Sequence, residues 1–391
     1  MANRKLFTLL FIQLFLIGIG GSVVGPLIPI LSSSFKVSLD IVGTTLSLNA
    51  VGLLLASMFS GILSERLGKK NIVSLGSILF TLSFIGLYLS GNFIYFSISY
   101  LLFGLSWGTI TLNSNALISD TFELNRGRTI IRLNIGFLLG AAFAPLIVSG
   151  ILSFNINYRY IFLFLALVNA ILFILILLLK HERFNIRKSK EDLLNFFSVY
   201  RKFLSNKIII FCAIISFLHF GLGFSFGAWF TTYFETINIP VNISSLILSS
   251  TLFAFCLGML LQSSLVDKFN EEKLMRFFAI LAFVFLFGAF ISDNLILKII
   301  FLILFNFSFS GIAAMSLSTA IKQNPHYSGP ITGVINSFGF TGTIIFQYTA
   351  GYLSENYSAV GIFYTSLGAL VVMNIFAGIL NYHSGTQKEI K

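Results

Sequence analysis

Apolar runs of about twenty residues recur along the whole of this chain, and that one feature removes most folds from consideration. Such a run is what an α-helix needs to cross a hydrocarbon core of about 30 Å, where only helices and closed barrels satisfy their own backbone. The runs fall at 6–30, 41–63, 71–90, 94–120, 128–152, 159–180, 207–235, 242–266, 274–292, 295–320, 329–353 and 358–381. They predict an all-α membrane protein with about twelve spans. Only 10% of the 391 residues are charged, against about a quarter in a soluble domain, and the mean hydropathy is +0.92. The first run follows Arg4-Lys5, as a signal peptide does, but it is too long, and Gly25-Pro26 and Pro29 stand where a cleavage region would lie. We read it as a retained first helix.

The net charge of +11 is dispersed over loops and not gathered on one module, so a nucleic-acid partner is not expected. With the N-terminus inside, the cytoplasmic segments hold Arg4, Lys5, Arg66, Lys69, Lys70, the basic cluster between Lys180 and Lys207, and most other cations; Lys36, Arg159 and Lys298 remain outside. The positive-inside rule then predicts a multi-pass protein of the inner (plasma) membrane, embedded in the lipid bilayer, with both termini cytoplasmic. The basic cluster divides the chain into an N-terminal six-helix bundle at 1–180, a cytoplasmic linker at 181–206 and a C-terminal six-helix bundle at 207–391. That linker reads equally as an amphipathic helix on anionic headgroups and as a solvated loop. Cys212 and Cys256 both lie inside predicted spans, so neither a disulfide framework, a metal site nor a cofactor is implied.

Adding 202 to a position in the first half lands repeatedly on a like residue in the second. Gly21 maps to Gly223, Gly25 to Gly227, Glu65 to Asp267, Arg66 to Lys268, Asn134 to Asn336 and Gly140 to Gly342. Charged, polar and small positions agreeing at one shift in three helix pairs predict two parallel, pseudo-symmetric repeats, with a site expected near the midplane between them.

After the second span the chain reads Gly61-Ile-Leu-Ser-Glu65-Arg66-Leu-Gly68-Lys69-Lys70. This resembles the loop signature Gly-x-x-x-Asp-Arg-x-Gly-Arg-Lys of the major facilitator superfamily, with Glu for the usual Asp. The second copy, from Ser263 to Glu272, keeps the acid–base pair but has neither glycine. Gly136-Phe-Leu-Leu-Gly140-Ala-Ala-Phe-Ala144-Pro145 is similar to the antiporter signature Gly-x-x-x-Gly-Pro of that superfamily. The glycine patterns of the first and seventh spans resemble the fucose permease-like branch, although Gly223, Met259 and Asn134 stand where that pattern has Glu, a basic residue and His. The resemblance implies the major facilitator fold and carriage of a small-molecule solute by alternating access. It also implies a cytoplasmic latch from Gly61, Glu65, Arg66, Gly68 and Lys69 with Asp120. The repeat-related pair Asn134 and Asn336, about two turns inside the cytoplasmic ends of their spans, reads either as a gate that joins the halves or as local helix packing.

None of the fourteen acids falls at mid-membrane, which puts carboxylate-driven proton symport in doubt. The titratable group near the centre is His219, which makes protons a candidate co-substrate, the alternative being a buried histidine satisfied by the bundle. In the first, fourth, seventh and tenth spans, which line the cavity in this superfamily, Trp107, His219, Asn306 and Ser310 reach the same depth, with Gly20 and Gly21 opening space beside them. Asn113 and Asn115 lie further toward the cytoplasm, and Trp229 and Tyr233 further outward. An indole face with amide, hydroxyl and imidazole groups suits a hydroxylated ring such as a sugar. Efflux of drugs or amphipathic compounds is the alternative. A membrane-embedded enzyme would need a second His or acid beside His219, and the spans offer none, so no enzymatic activity is expected. Gly18-Ile-Gly20-Gly21 lacks the third glycine of a dinucleotide fingerprint and reads as helix packing. A monomer is expected.

Overall fold

A computed structural model describes residues 2–122, 126–179, 205–266 and 268–389. Nearly all of the expected linker, Glu123 and Asp267 lie outside the described residues. The helices are α1 (Ala2–Val23), α2 (Ile28–Phe35), α3 (Leu39–Leu67), α4 (Lys69–Leu89), α5 (Phe93–Thr121), α6 (Arg126–Ser153), α7 (Arg159–Leu178), α8 (Lys207–Thr236), α9 (Val241–Val266), α10 (Glu271–Ile291), α11 (Leu295–Phe309), α12 (Ile312–Gln323), α13 (Ser328–Asn356) and α14 (Gly361–Glu389). α1 with α2, and α11 with α12, are each one long helix interrupted. Among the described residues, eleven stretches are long and apolar enough to cross a bilayer. Helix α13 has the length but is diluted by Ser, Thr, Gly, Asn and Gln.

Sequence chemistry accounts for the ends. Pro26 lacks an N–H and sits in the 3₁₀ turn Gly25–Leu27 that ends α1, and α2 stops where Lys36 turns left-handed at φ 54°. Gly68, at φ +89°, makes the tight turn from α3 to α4, a conformation that favours glycine and so explains that position of the loop signature. Asn92 caps α5 by accepting from the Tyr95 N–H at 3.0 Å, and Asn294 caps α11 by accepting from the Leu297 N–H at 3.1 Å. These caps stand 202 residues apart in both donor and acceptor.

The chain divides into two compact units, one of Met1–Lys190 with Ala228–Ser249 and one of Glu191–Gly227 with Ser250–Lys391. In the first unit α3 and α4 pack on α5, α1 on α6, and α4 on α7. A buried amide chain ties three of them: Gln13 donates to Asn169 Oδ1 at 2.6 Å, and Asn169 donates to the Ser77 carbonyl at 2.8 Å and Thr81 Oγ1 at 2.9 Å. The ends of α8 and α9 in this unit are also anchored there. A Cβ on Gly25 would lie 2.7 Å from Ala228 Cα, and Ser249 donates to the Ala142 carbonyl at 2.6 Å. In the second unit α10 packs on α11 and α14, the arrangement that α4 makes with α5 and α7.

The internal repeat holds at the level of single contacts. A Cβ on Gly140 would lie 2.0 Å from the Phe15 carbonyl oxygen, and one on Gly342 2.0 Å from that of Phe217. Both glycine and carbonyl are shifted by 202. A second contact keeps its place but exchanges its residues. Gly18 lies against the backbone of Phe137, whereas the corresponding Phe220 packs its ring on Gly339. Without a hydrophobic drive between helices in lipid, such small-residue approaches supply the packing that joins them. Leucine at Gly140 or Gly342 should therefore cost at least the 1–3 kcal/mol typical of overpacking, because a backbone carbonyl cannot step aside. Thermal unfolding in detergent should show a large loss for each, while Gly150→Ala, facing open space, should match the parent. Equal stability for all three would refute the contact.

Candidate functional site

In the first unit, Trp107 on α5 is buried against glycine. A Cβ on Gly21 would lie 2.8 Å from the indole ring, whose centroid is 5.9 Å from Phe103 and 5.4 Å from Phe137. Gly20 is filled in the same way by the rings of Phe84 and Phe103. The glycines thus do not open free space, as the sequence suggested. Each makes room for an aromatic side chain, and Gly18, Gly20 and Gly21 all serve helix packing. Asn113, also buried, donates to the Thr109 carbonyl of its own helix at 2.8 Å. Asn115 accepts from Asn134 Nδ2 at 3.0 Å, so one of the expected solute residues and one of the expected gate residues meet across α5 and α6. Asn134 also donates to the Ile130 carbonyl at 2.9 Å.

In the second unit the same register recurs: Gly223 makes room for Phe309, whose ring edge lies 3.3 Å from where a Cβ would stand. His219 is 5% exposed and stacks on Phe309 with centroids 4.1 Å apart and planes 16° from parallel. Its Nδ1 is buried without a hydrogen-bond partner, a costly condition unless something else supplies one. Asn306 is half-buried and donates to the Leu302 carbonyl at 3.2 Å. Ser310 is engaged otherwise: its hydroxyl donates to the Phe307 carbonyl at 3.0 Å and accepts from Gln262 at 3.1 Å. Asn336 is half-buried on α13.

The loop signature builds an ion pair. Lys69 meets Asp120 at 2.5 Å, and Lys70 donates to the Leu177 carbonyl at 3.2 Å and to that of Leu179, capping the end of α7. Glu65 and Arg66 are exposed, and Gly61 faces open space. Sequence reasoning did not find the counterpart in the second unit. Glu271, 202 after Lys69, pairs at 2.9 Å with Lys322, 202 after Asp120, and also accepts from Ser318 at 2.9 Å. The polarity is reversed, which a search for like residues passes over. A charge-swap search at the same offset would have found it.

The Lys69–Asp120 pair is partly exposed, where such pairs contribute about 0–1 kcal/mol. Glu271 is buried, so removal of Lys322 leaves a charge with one fewer partner. Lys322→Ala should therefore lower the unfolding temperature more than Lys69→Ala. The exchange Lys69→Asp with Asp120→Lys should recover most of the loss seen with Lys69→Asp alone. Absence of recovery would count against direct pairing.

The described geometry has counterparts among known proteins. The Major Facilitator Superfamily profile matches residues 10–347. The chain is 25% identical over 354 residues to the Protein TsgA homolog of Buchnera aphidicola subsp. Baizongia pistaciae (strain Bp), covering 90% of this chain and 87% of that one. It is 27% identical over 293 residues to the quinolone resistance protein NorA of Staphylococcus aureus (strain MRSA252), covering 72% and 70%. Among solved structures, a variant of the nucleoside transporter NupG superposes with a TM-score of 0.81 at 16% identity over 97% of this chain and 100% of that one. A D-xylose-proton symporter superposes with a TM-score of 0.80 at 13% identity over 96% and 97%. With its repeated helical contacts, its loop signature and a family match over most of its length, this chain belongs to the Major Facilitator Superfamily of membrane transporters.

Proposed function

We propose that this protein carries a neutral, ring-bearing polar solute of sugar-like size, by alternating access of the halves 1–180 and 207–391 joined by the linker 181–206. What supports the reading is the kind of group that stands near the middle of each helix or interrupted helix pair, taken unit by unit. Trp107 and Phe309 supply flat apolar faces, and His219 and Asn306 supply polar edges. Among the described residues, Asp, Glu, Lys and Arg keep to within about two turns of the helix ends. A solute with a fixed charge would lack a counter-ion at that depth, whereas a hydroxylated ring stacks on an aromatic face and offers hydrogen bonds at its rim. The unpartnered Nδ1 of His219 supports a role in receiving such a bond, or a proton. Asn113 and Asn115 are second-tier pathway residues on this reading. Gly61, Glu65, Arg66, Gly68, Lys69 and Asp120 form the latch on the cytoplasmic side, and Asn134 and Asn336 a gate. The protein sits in the inner membrane as a monomer with cytoplasmic termini.

A second reading, efflux of drugs or amphipathic compounds, is favoured by the similarity to NorA over 72% of this chain. Proteoliposomes separate the two. Radiolabelled sugars and nucleosides in one panel, and quinolones and lipophilic dyes in the other, are followed with and without a pH gradient. We expect accumulation from the first panel only. Trp107→Ala should weaken its affinity about tenfold, the scale of one aromatic stacking contact. His219→Ala should weaken affinity and flatten the pH dependence. Transport restricted to the second panel would favour efflux. Unchanged affinity and pH dependence in both folded variants would place the solute elsewhere.

A further inference from the structure

The tenth span breaks without a proline. Its first segment α11 ends at Phe309, Ser310 and Gly311 form a turn, and α12 starts at Ile312. In an unbroken helix the Gly311 N–H would donate to the Phe307 carbonyl. Here the side-chain amide of Gln262, from α9, stands in that place. Its Nε2 donates to the carbonyls of Phe307 at 2.8 Å and Ser308 at 3.1 Å and to Ser310 Oγ at 3.1 Å, and its Oε1 accepts from the Gly311 N–H at 3.1 Å. Gln262 is 1% exposed. A primary amide has the donor and acceptor of a peptide unit, so it replaces both halves of the opened rung.

The internal repeat supplies a control. The position 202 before Gln262 is Ser60, too short to offer an amide, and the segment 105–109 that corresponds to 307–311 lies in α5, which runs unbroken from Phe93 to Thr121. Ser106 and Trp107 there correspond to Ser308 and Phe309, and Gly108 and Thr109 stand where Ser310 and Gly311 form the turn, so the unbroken copy lacks both the amide and the Ser-Gly pair. Unsatisfied backbone in hydrocarbon costs several kcal/mol, so the break stands only while a partner fills it. Space is also limited, since a Cβ on Gly311 would lie 2.5 Å from Gln262 Oε1.

We propose that the Gln262 amide is a removable link in the backbone ladder of the tenth span: inserted, it sets the bend at Ser310–Gly311 and thereby the seat of Phe309 against His219. Withdrawn, it lets Gly311 bond Phe307 directly and the span straightens. Side-chain insertion is a recognised cause of helix kinks, and two discrete ladders make the span a two-state element. Gln262 is then a positioning residue acting through Phe309. The inference rests on the site reading above only for the importance of His219.

The test is the distance between spin labels at Leu297→Cys and Gln323→Cys, both exposed, in a background with Cys212 and Cys256 replaced by serine. The purified full chain is measured in proteoliposomes without solute. Gln262→Leu removes the amide, and Gly311→Ala expels it while retaining Gln262. Both should lose the shorter distance of the bent span and leave a single longer one. If Gln262→Leu does not fold, Gly311→Ala carries the test. Retention of the parent distribution in the folded variants overturns the proposal. The readout uses no solute. A lengthened distance together with unchanged solute binding in Trp107→Ala and His219→Ala would therefore sink the site reading and leave the ladder insertion standing.

Discussion

Each peptide group that enters hydrocarbon must find its hydrogen bond within the protein, and the arrangement of this chain follows from that requirement. The helical spans meet it by closing their own ladders. Where a ladder must stop, something else takes the orphaned groups: Asn92 and Asn294 at helix starts, Lys70 at the end of α7, and Gln262 at the break in the tenth span. Several of the buried polar side chains inside the helices are engaged in the same way, while His219 Nδ1 is left without a partner. The Gln13–Asn169 chain and the Asn115–Asn134 pair each join helices of one unit.

Because lipid supplies no hydrophobic drive between helices, close approach of backbones has to hold the units together. The glycine–carbonyl contacts of Gly140 with Phe15 and Gly342 with Phe217 are among the tightest expressions of this. The repeat keeps contact volumes more faithfully than residue identities. Gly18 with Phe137 becomes Phe220 with Gly339, and Lys69 with Asp120 becomes Glu271 with Lys322. Gly21 with Trp107 becomes Gly223 with Phe309, which leaves an aromatic plate at the same register in each half.

Most of the spans were legible in the sequence, since length and apolarity are what the membrane demands, and several ends fell within a few residues. The last span, read at 358–381, falls at Gly361–Tyr382, and its helix runs on to Glu389 because the ladder continues where hydropathy fades. The first span, read as one helix over 6–30, is interrupted at Gly25–Leu27 where Pro26 lacks an N–H, and the break in the tenth has its cause, Gln262, on another helix. Matching like with like at an offset of 202 found Gly140 and Gly342 but missed the swapped ion pair, where only the product of the charges is kept. The glycines of the first span were visible, but the rings that fill them were not, because α5 supplies those rings from elsewhere in the sequence.

For the proposed neutral aromatic site, the protein carries its own probe. It has two tryptophans, so Trp229→Phe leaves Trp107 as the single indole. The emission of that variant, titrated in detergent with a solute it transports, should change saturably at concentrations matching the transport half-saturation, because a ring stacked on the indole alters its surroundings. Transport of the same solute with Trp107 emission unaltered across the titration would contradict it.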